Sequence, residues 1–168
     1  MGFRACVLTV STKGARGERV DESGEKVSEM LVRLPAEIVA RAVVTDDMAA
    51  IRRQVEDWIE ATDPHVIVLT GGTGLGPHDV TPQALEPLLD YPIPGIAEAM
   101  RAAGLRKTPH AMLSRSVAGV KGQTIILALP GSPRGVADSL DAVMEALPHG
   151  LRTLRGEVSD APAAHRPS

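Results

Sequence analysis

The chain has 168 residues, 43% hydrophobic and 23% charged, a length and balance suited to one globular domain rather than a disordered chain. A net charge of −3, with Phe3, Trp58 and Tyr91 as the only aromatics, supplies neither the basic face nor the stacking platform of a nucleic-acid binder. The lone Cys6 excludes an internal disulfide or a cysteine-held metal cluster, and with neither a signal-peptide pattern nor an apolar run near the ~20 residues that cross a bilayer, the cytoplasm is the expected compartment.

Cys6–Val10 is a near-continuous apolar run, the pattern of a strand covered on both faces. A polar, glycine-bearing loop is expected from Ser11 to Asp21. Val27, Met30, Leu31 and Leu34 then fall at i, i+3, i+4 and i+7, an amphipathic helix with Ser23 as its cap and Pro35 as its stop. Ile38–Val44 reads as a second strand. Thr45, Asp46 and Asp47 offer capping oxygens to a helix whose inner face is Met48, Ile51, Val55, Trp58 and Ile59. Val66–Leu69 is the clearest buried strand and runs into Thr70-Gly71-Gly72-Thr73-Gly74-Leu75-Gly76-Pro77-His78-Asp79. Thr81-Pro82 predicts a capped helix start with proline in the first turn. Tyr91–Gly95 reads as a linker, Ile96–Ala103 as a short helix, and Thr124–Leu129 as another buried strand ending in Pro130-Gly131-Ser132. A last long helix carries Val136, Leu140, Val143, Met144 and Leu147 on one face. Residues 1–155 are expected to form one domain, and Gly156–Ser168, rich in Ala, Pro and charge, a disordered tail.

Apolar strands alternating with amphipathic helices predict a three-layer α/β domain around a mostly parallel sheet. In such sheets ligands bind beyond the carboxyl ends of the strands, where strand order reverses. Four loops leave those ends: at Ser11, at Asp46, at Gly71 and at Pro130. Gly71, Gly72, Gly74 and Gly76 expose backbone N–H groups to an anion, and Gly74 is expected to use the positive φ that a β-branched residue disfavours. The loop is neither a P-loop, lacking Gly-Lys-Ser/Thr, nor a dinucleotide G-x-G-x-x-G. Asp46 and Asp79 beside such a loop suit Mg²⁺, which takes one or two carboxylates plus substrate phosphates. Capping of the next helix is the competing role for Asp46, and a turn the competing role for Asp79. Gly131, Ser132, Ser114 and Arg115 could add contacts to an anion. The five histidines lack metal-ligand spacing, and no serine occupies a G-x-S-x-G elbow.

The segment T-G-G-T-G-L-G-P-H-D-V-T-P-Q-A from Thr70 to Ala84 resembles the signature of the molybdopterin adenylyltransferases, bacterial relatives of the plant and animal molybdenum-cofactor adenylylation domains. Further matches in the same order are L-T-V-S at Leu8–Ser11, D-E-S-G at Asp21–Gly24, M-L-S-R at Met112–Arg115, L-P-G-S at Leu129–Ser132 and A-L-P-H at Ala146–His149. The resemblance implies the molybdopterin-binding fold and a homo-oligomer, trimeric or hexameric. It implies molybdopterin and ATP as substrates with Mg²⁺, and the molybdate-inserting enzyme as a candidate partner. Its two functional aspartates correspond to Asp46 and Asp79. Ser11, Thr70, Gly71, Gly72, Thr73 and Gly74 would help hold substrate or nucleotide phosphate, and Ser114, Arg115, Pro130, Gly131 and Ser132 would line the pocket. The implied reaction is attack of the terminal phosphate of molybdopterin on the α-phosphorus of ATP. A relative that binds molybdopterin without turnover, as a carrier or scaffold, is the alternative.

Overall fold

A computed structural model describes residues 2–158. Strands β1 (Phe3–Val10), β2 (Ala36–Val44), β3 (Val66–Thr70) and β6 (Thr124–Leu129) are mutually parallel. Two shorter strands, β5 (Ala118–Lys121) and β4 (Tyr91–Pro92), extend the sheet antiparallel, giving the order β2-β1-β3-β6-β5-β4. The mostly parallel sheet follows from its composition: every residue of β3 and β6 is buried, so neither strand could face water on one side.

Alternate residues of each strand feed two cores. Ala5, Val7, Val66, Val68, Ile125 and Leu127 pack with α2 (Glu22–Leu31), α5 (Pro94–Leu105), α6 (Pro133–Val143) and α7 (Leu147–Leu154). Cys6, Leu8, Ile67, Leu69 and Ile126 face the other way onto α3 (Met48–Thr62) and α4 (Thr81–Leu85). Burying each such Leu, Ile or Val contributes ~1.5–3 kcal/mol, which makes the central strands the rigid base of the loops they carry.

Several local expectations are corrected. The loop after β1 contains a short helix, α1 (Thr12–Ala15), capped by Ser11, whose Oγ accepts from the Gly14 N–H at 3.0 Å. The cap of α2 is Asp21, accepting from the Gly24 N–H at 2.9 Å; Ser23 instead donates to the Gly131 carbonyl. That helix ends at Leu31, and Leu34 is buried from the turn that follows. Met48 is 41% exposed and does not join the buried face of α3. Thr81 is the first residue of α4 rather than its cap. The Tyr91–Gly95 linker contains β4 and the first turn of α5, and a 3-10 turn at Pro109–Leu113 precedes β5. The expected last helix is two helices, because Pro148 lacks an N–H and its ring would strike the Met144 carbonyl, so the chain restarts as α7 with that proline in the first turn. Of the expected tail, residues 159–168 lie outside the described residues.

Candidate functional site

Because β1, β2, β3 and β6 run parallel, their following loops share one edge of the sheet. The order reverses at β1, which has β2 on one side and β3 on the other, so the loops after β1 and β3 diverge and leave a crevice. Two clefts open there. The larger, of about 1000 Å³, is lined by the glycine loop, Ser114, the Pro130–Ser132 turn, and cations including Arg101, Lys107 and Arg134. The smaller, of about 550 Å³, is lined by Ser11, Thr70, Gly71, Asp46 and the start of α2. Gly72, Asp79, Gly131 and Ser132 line both, so the clefts meet at these four residues.

The glycine loop is shaped by two close approaches. Gly71 and Gly72 have φ of 100° and 71°, a region that L side chains avoid. A side chain on Gly71 would strike the Val10 carbonyl, and one on Gly72 would strike the Thr81 hydroxyl. That hydroxyl is buried and donates to the Gly71 carbonyl at 2.8 Å, locking the turn to α4. Gly74 does not have positive φ, contrary to expectation. A Cβ there, or on Gly76, would stand 2.8 or 2.9 Å from Oδ2 of Asp79. These two glycines make room for a carboxylate rather than for a turn.

Asp79 Oδ2 accepts the Gly76 N–H at 2.9 Å, and its other oxygen has no partner among the described residues. Asp46 is arranged alike. Its Oδ2 accepts from the Thr12 N–H at 2.9 Å and from the Thr12 hydroxyl at 2.8 Å, and Oδ1 has no partner among the described residues. Capping of α3 falls to Asp47, whose carboxylate accepts from the Ala50 N–H at 2.8 Å. Among the described residues no Lys, Arg or His forms an ion pair with Asp46 or Asp79. Two unpaired carboxylates, each with an unspent oxygen and both lining the smaller cleft, fit a hard divalent cation such as Mg²⁺. No group of three or more His, Cys, Asp or Glu with metal-holding geometry occurs among the described residues, so phosphate oxygens and water would complete such a sphere.

The remaining site residues divide. Ser11 and Ser132 are helix caps, accepting from the Gly14 and Gly135 N–H groups, both at 3.0 Å. Thr70 donates its hydroxyl to the Pro130 carbonyl at 2.7 Å, and Thr73 lies 3.5 Å from that of Leu129. Both are buried links between the ends of β3 and β6, with their hydroxyl protons directed at carbonyls rather than at an anion. Ser114 lines the larger cleft with its Oγ 2.9 Å from that of Ser116. Arg115 lines neither cleft, so a direct anion contact from its guanidinium is not what the geometry provides.

Sequence reading missed Thr12, which grips Asp46, and Ser23, which ties α2 to the Gly131 carbonyl. The one available signal for both was a hydroxyl residue at a strand or helix end beside the expected site.

The sheet order, the crevice and the glycine loop define a class. The family model described as "Probable molybdopterin binding domain" matches residues 6–149, and the chain belongs to that family. Gephyrin of Dictyostelium discoideum is 36% identical over 171 residues, covering 95% of this chain and 24% of gephyrin. Molybdopterin adenylyltransferase of Helicobacter pylori is 32% identical over 153 residues, covering 89% of this chain and 86% of that protein. The crystal structure of the molybdopterin biosynthesis enzyme MoaB from Thermus thermophilus superposes with a TM-score of 0.87 at 49% identity, covering 92% of this chain and 97% of that one. The chain spans only 24–49% of the length of gephyrin and of two bifunctional molybdenum cofactor biosynthesis proteins that it matches. No helix among the described residues is long and apolar enough to cross a membrane.

Proposed function

We propose that this protein adenylylates molybdopterin with Mg-ATP in molybdenum cofactor biosynthesis. Family membership and the names of the relatives support the pathway. The observation that carries the reaction is the pair of clefts meeting at Gly72, Asp79, Gly131 and Ser132, with two unpaired carboxylates on the smaller one. Two substrates, one per cleft, would bring their phosphates together at that junction.

The terminal phosphate oxygen of molybdopterin forms a bond to the α-phosphorus of ATP. The bond from that phosphorus to the bridging oxygen breaks, and the electron pair leaves with pyrophosphate. The nucleophile is already anionic, so no general base is required. Asp46 and Asp79 would hold Mg²⁺, which neutralises phosphate charge when bound. The N-terminus of α6, capped by Ser132 at the junction, would present the positive end of an 11-residue helix to the same phosphates. The glycine loop keeps side chains away from the reacting atoms. Catalysis then rests on positioning and on fixed electrostatics.

A single-turnover assay with molybdopterin and α-labelled ATP tests this. The expected result is labelled adenylylated molybdopterin with one pyrophosphate per turnover, dependent on Mg²⁺. Tight molybdopterin binding without pyrophosphate release would make the protein a carrier instead.

A further inference from the structure

The half-buried Arg115 is joined to the glycine loop at three points. Its Nε donates to the Gly74 carbonyl at 2.8 Å and its Nη2 to the Asp79 carbonyl at 2.7 Å. Its backbone N–H donates to the Thr73 carbonyl at 2.8 Å. It forms no ion pair with a described carboxylate. One guanidinium therefore draws together the start and the end of the segment that presents Asp79.

Thr81 closes the base of the loop, its hydroxyl and its N–H donating to the Gly71 and Gly72 carbonyls at 2.8 and 3.0 Å, but beyond that base residues 74–79 have little else to hold them. Leu75 is 66% exposed, and Gly76, Pro77 and His78 are exposed with it, so no apolar packing fixes the loop tip. Inside the loop, the Asp79 N–H donates to the Gly76 carbonyl at 3.0 Å, and the Gly76 N–H returns a bond to Asp79 Oδ2 at 2.9 Å. This small ring aims the carboxylate only while its two ends stay at a fixed separation. A guanidinium suits the task because Nε and Nη2 lie in one rigid plane and donate in parallel. A lysine ammonium is a point donor on a flexible stem and cannot set the spacing of two carbonyls.

We propose that Arg115 is a positioning residue for Asp79: it holds residues 74–79 so that the unspent Asp79 oxygen is presented at the junction of the two clefts. The kinetic consequence rests on the adenylyl-transfer reading; the structural consequence does not.

The test compares Arg115→Lys and Arg115→Met with the wild type in the intact chain, by amide hydrogen exchange and by single-turnover kinetics. Exchange at the Gly76 and Asp79 amides is expected to accelerate about tenfold or more in both variants as the loop opens locally, with the β3 and β6 amides unchanged. The transfer rate is expected to fall ~10–100-fold, as for other groups that orient a metal-binding carboxylate, with KM for molybdopterin held within about twofold. Added guanidinium ion is expected to restore part of the rate and of the protection in Arg115→Ala. Unchanged exchange at Gly76 and Asp79 in both variants overturns the inference, whatever the rates. A raised KM for molybdopterin with unchanged rate also overturns it, by making Arg115 a substrate contact. A wild type that releases no pyrophosphate, while Arg115→Met accelerates the Gly76 amide, refutes the transfer reading and supports the positioning role.

Discussion

Replacing Gly72 by alanine separates the two jobs of the glycine loop. Gly72 has φ of 71°, and an added Cβ would strike the Thr81 hydroxyl and lie 3.3 Å from the Thr81 Cβ. The left-handed conformation costs a non-glycine residue ~1–2 kcal/mol. Displacing Thr81 also breaks its buried bond to the Gly71 carbonyl, at ~1–3 kcal/mol for the acceptor left behind. The sum is ~2–5 kcal/mol, and at ~2–4 °C per kcal/mol for a chain of this size Tm should fall by on the order of 10 °C. Gly74→Ala is the matched control. Its φ is not left-handed, and its Cβ would meet only a carboxylate oxygen of Asp79, 2.8 Å away, which can rotate aside. Its Tm should stay within about 4 °C of wild type, while moving Asp79 slows transfer at least tenfold, or ~1.4 kcal/mol of transition-state stabilisation. Calorimetric melts and single-turnover assays on both variants read the contrast. Wild-type Tm in Gly72→Ala, or an equal loss of Tm in Gly74→Ala, would refute this division of roles.

Asp46→Asn and Asp79→Asn are each expected to keep the wild-type melt and lose most transfer, since each preserves size and removes one negative charge; wild-type rates in both purified variants would end their assignment. At the opposite edge of the sheet, burial, aided by Arg155 and Arg4, pushes the His65 imidazole below its ordinary value of 6.5. Its Nδ1 accepts the Arg4 backbone N–H at 3.0 Å, which requires the neutral ring. The folded state thus binds fewer protons than the unfolded one, so this stability is present above pH 6.5 and is lost as pH falls through the depressed value. Urea midpoints should decline between about pH 7.5 and pH 5.5, and His65→Asn, which keeps an acceptor, should flatten that decline; parallel slopes would contradict the sign. Family membership leads us to expect a homo-oligomer, with a light-scattering mass of about 53 kDa for a trimer of the 17.7 kDa chain; a monomer mass at micromolar concentration would count against it.

Sequence alone determined the parts whose cause is local. Val66–Leu69 and Thr124–Leu129 read as buried strands because every residue is apolar or β-branched, and both are completely buried. The stripes of α2 and α3 and the glycine loop were legible for the same reason: periodicity and residue type report directly on burial and backbone freedom. Only the tertiary structure decided what depends on sheet order and register. Thr12 grips Asp46 across 34 positions, Arg115 reaches Asp79 across 36, and Thr124 donates to the Pro64 carbonyl across 60. No local pattern encodes such pairs, because they exist only once β2, β1, β3 and β6 lie side by side. The two-residue β4 was illegible too, since both its residues are exposed and its pairing comes from the position of β5. The glycine loop shows the boundary most sharply. Its composition announced a place without side chains, but which glycine bends the chain and which makes room for a carboxylate is set by where Val10, Thr81 and Asp79 come to rest.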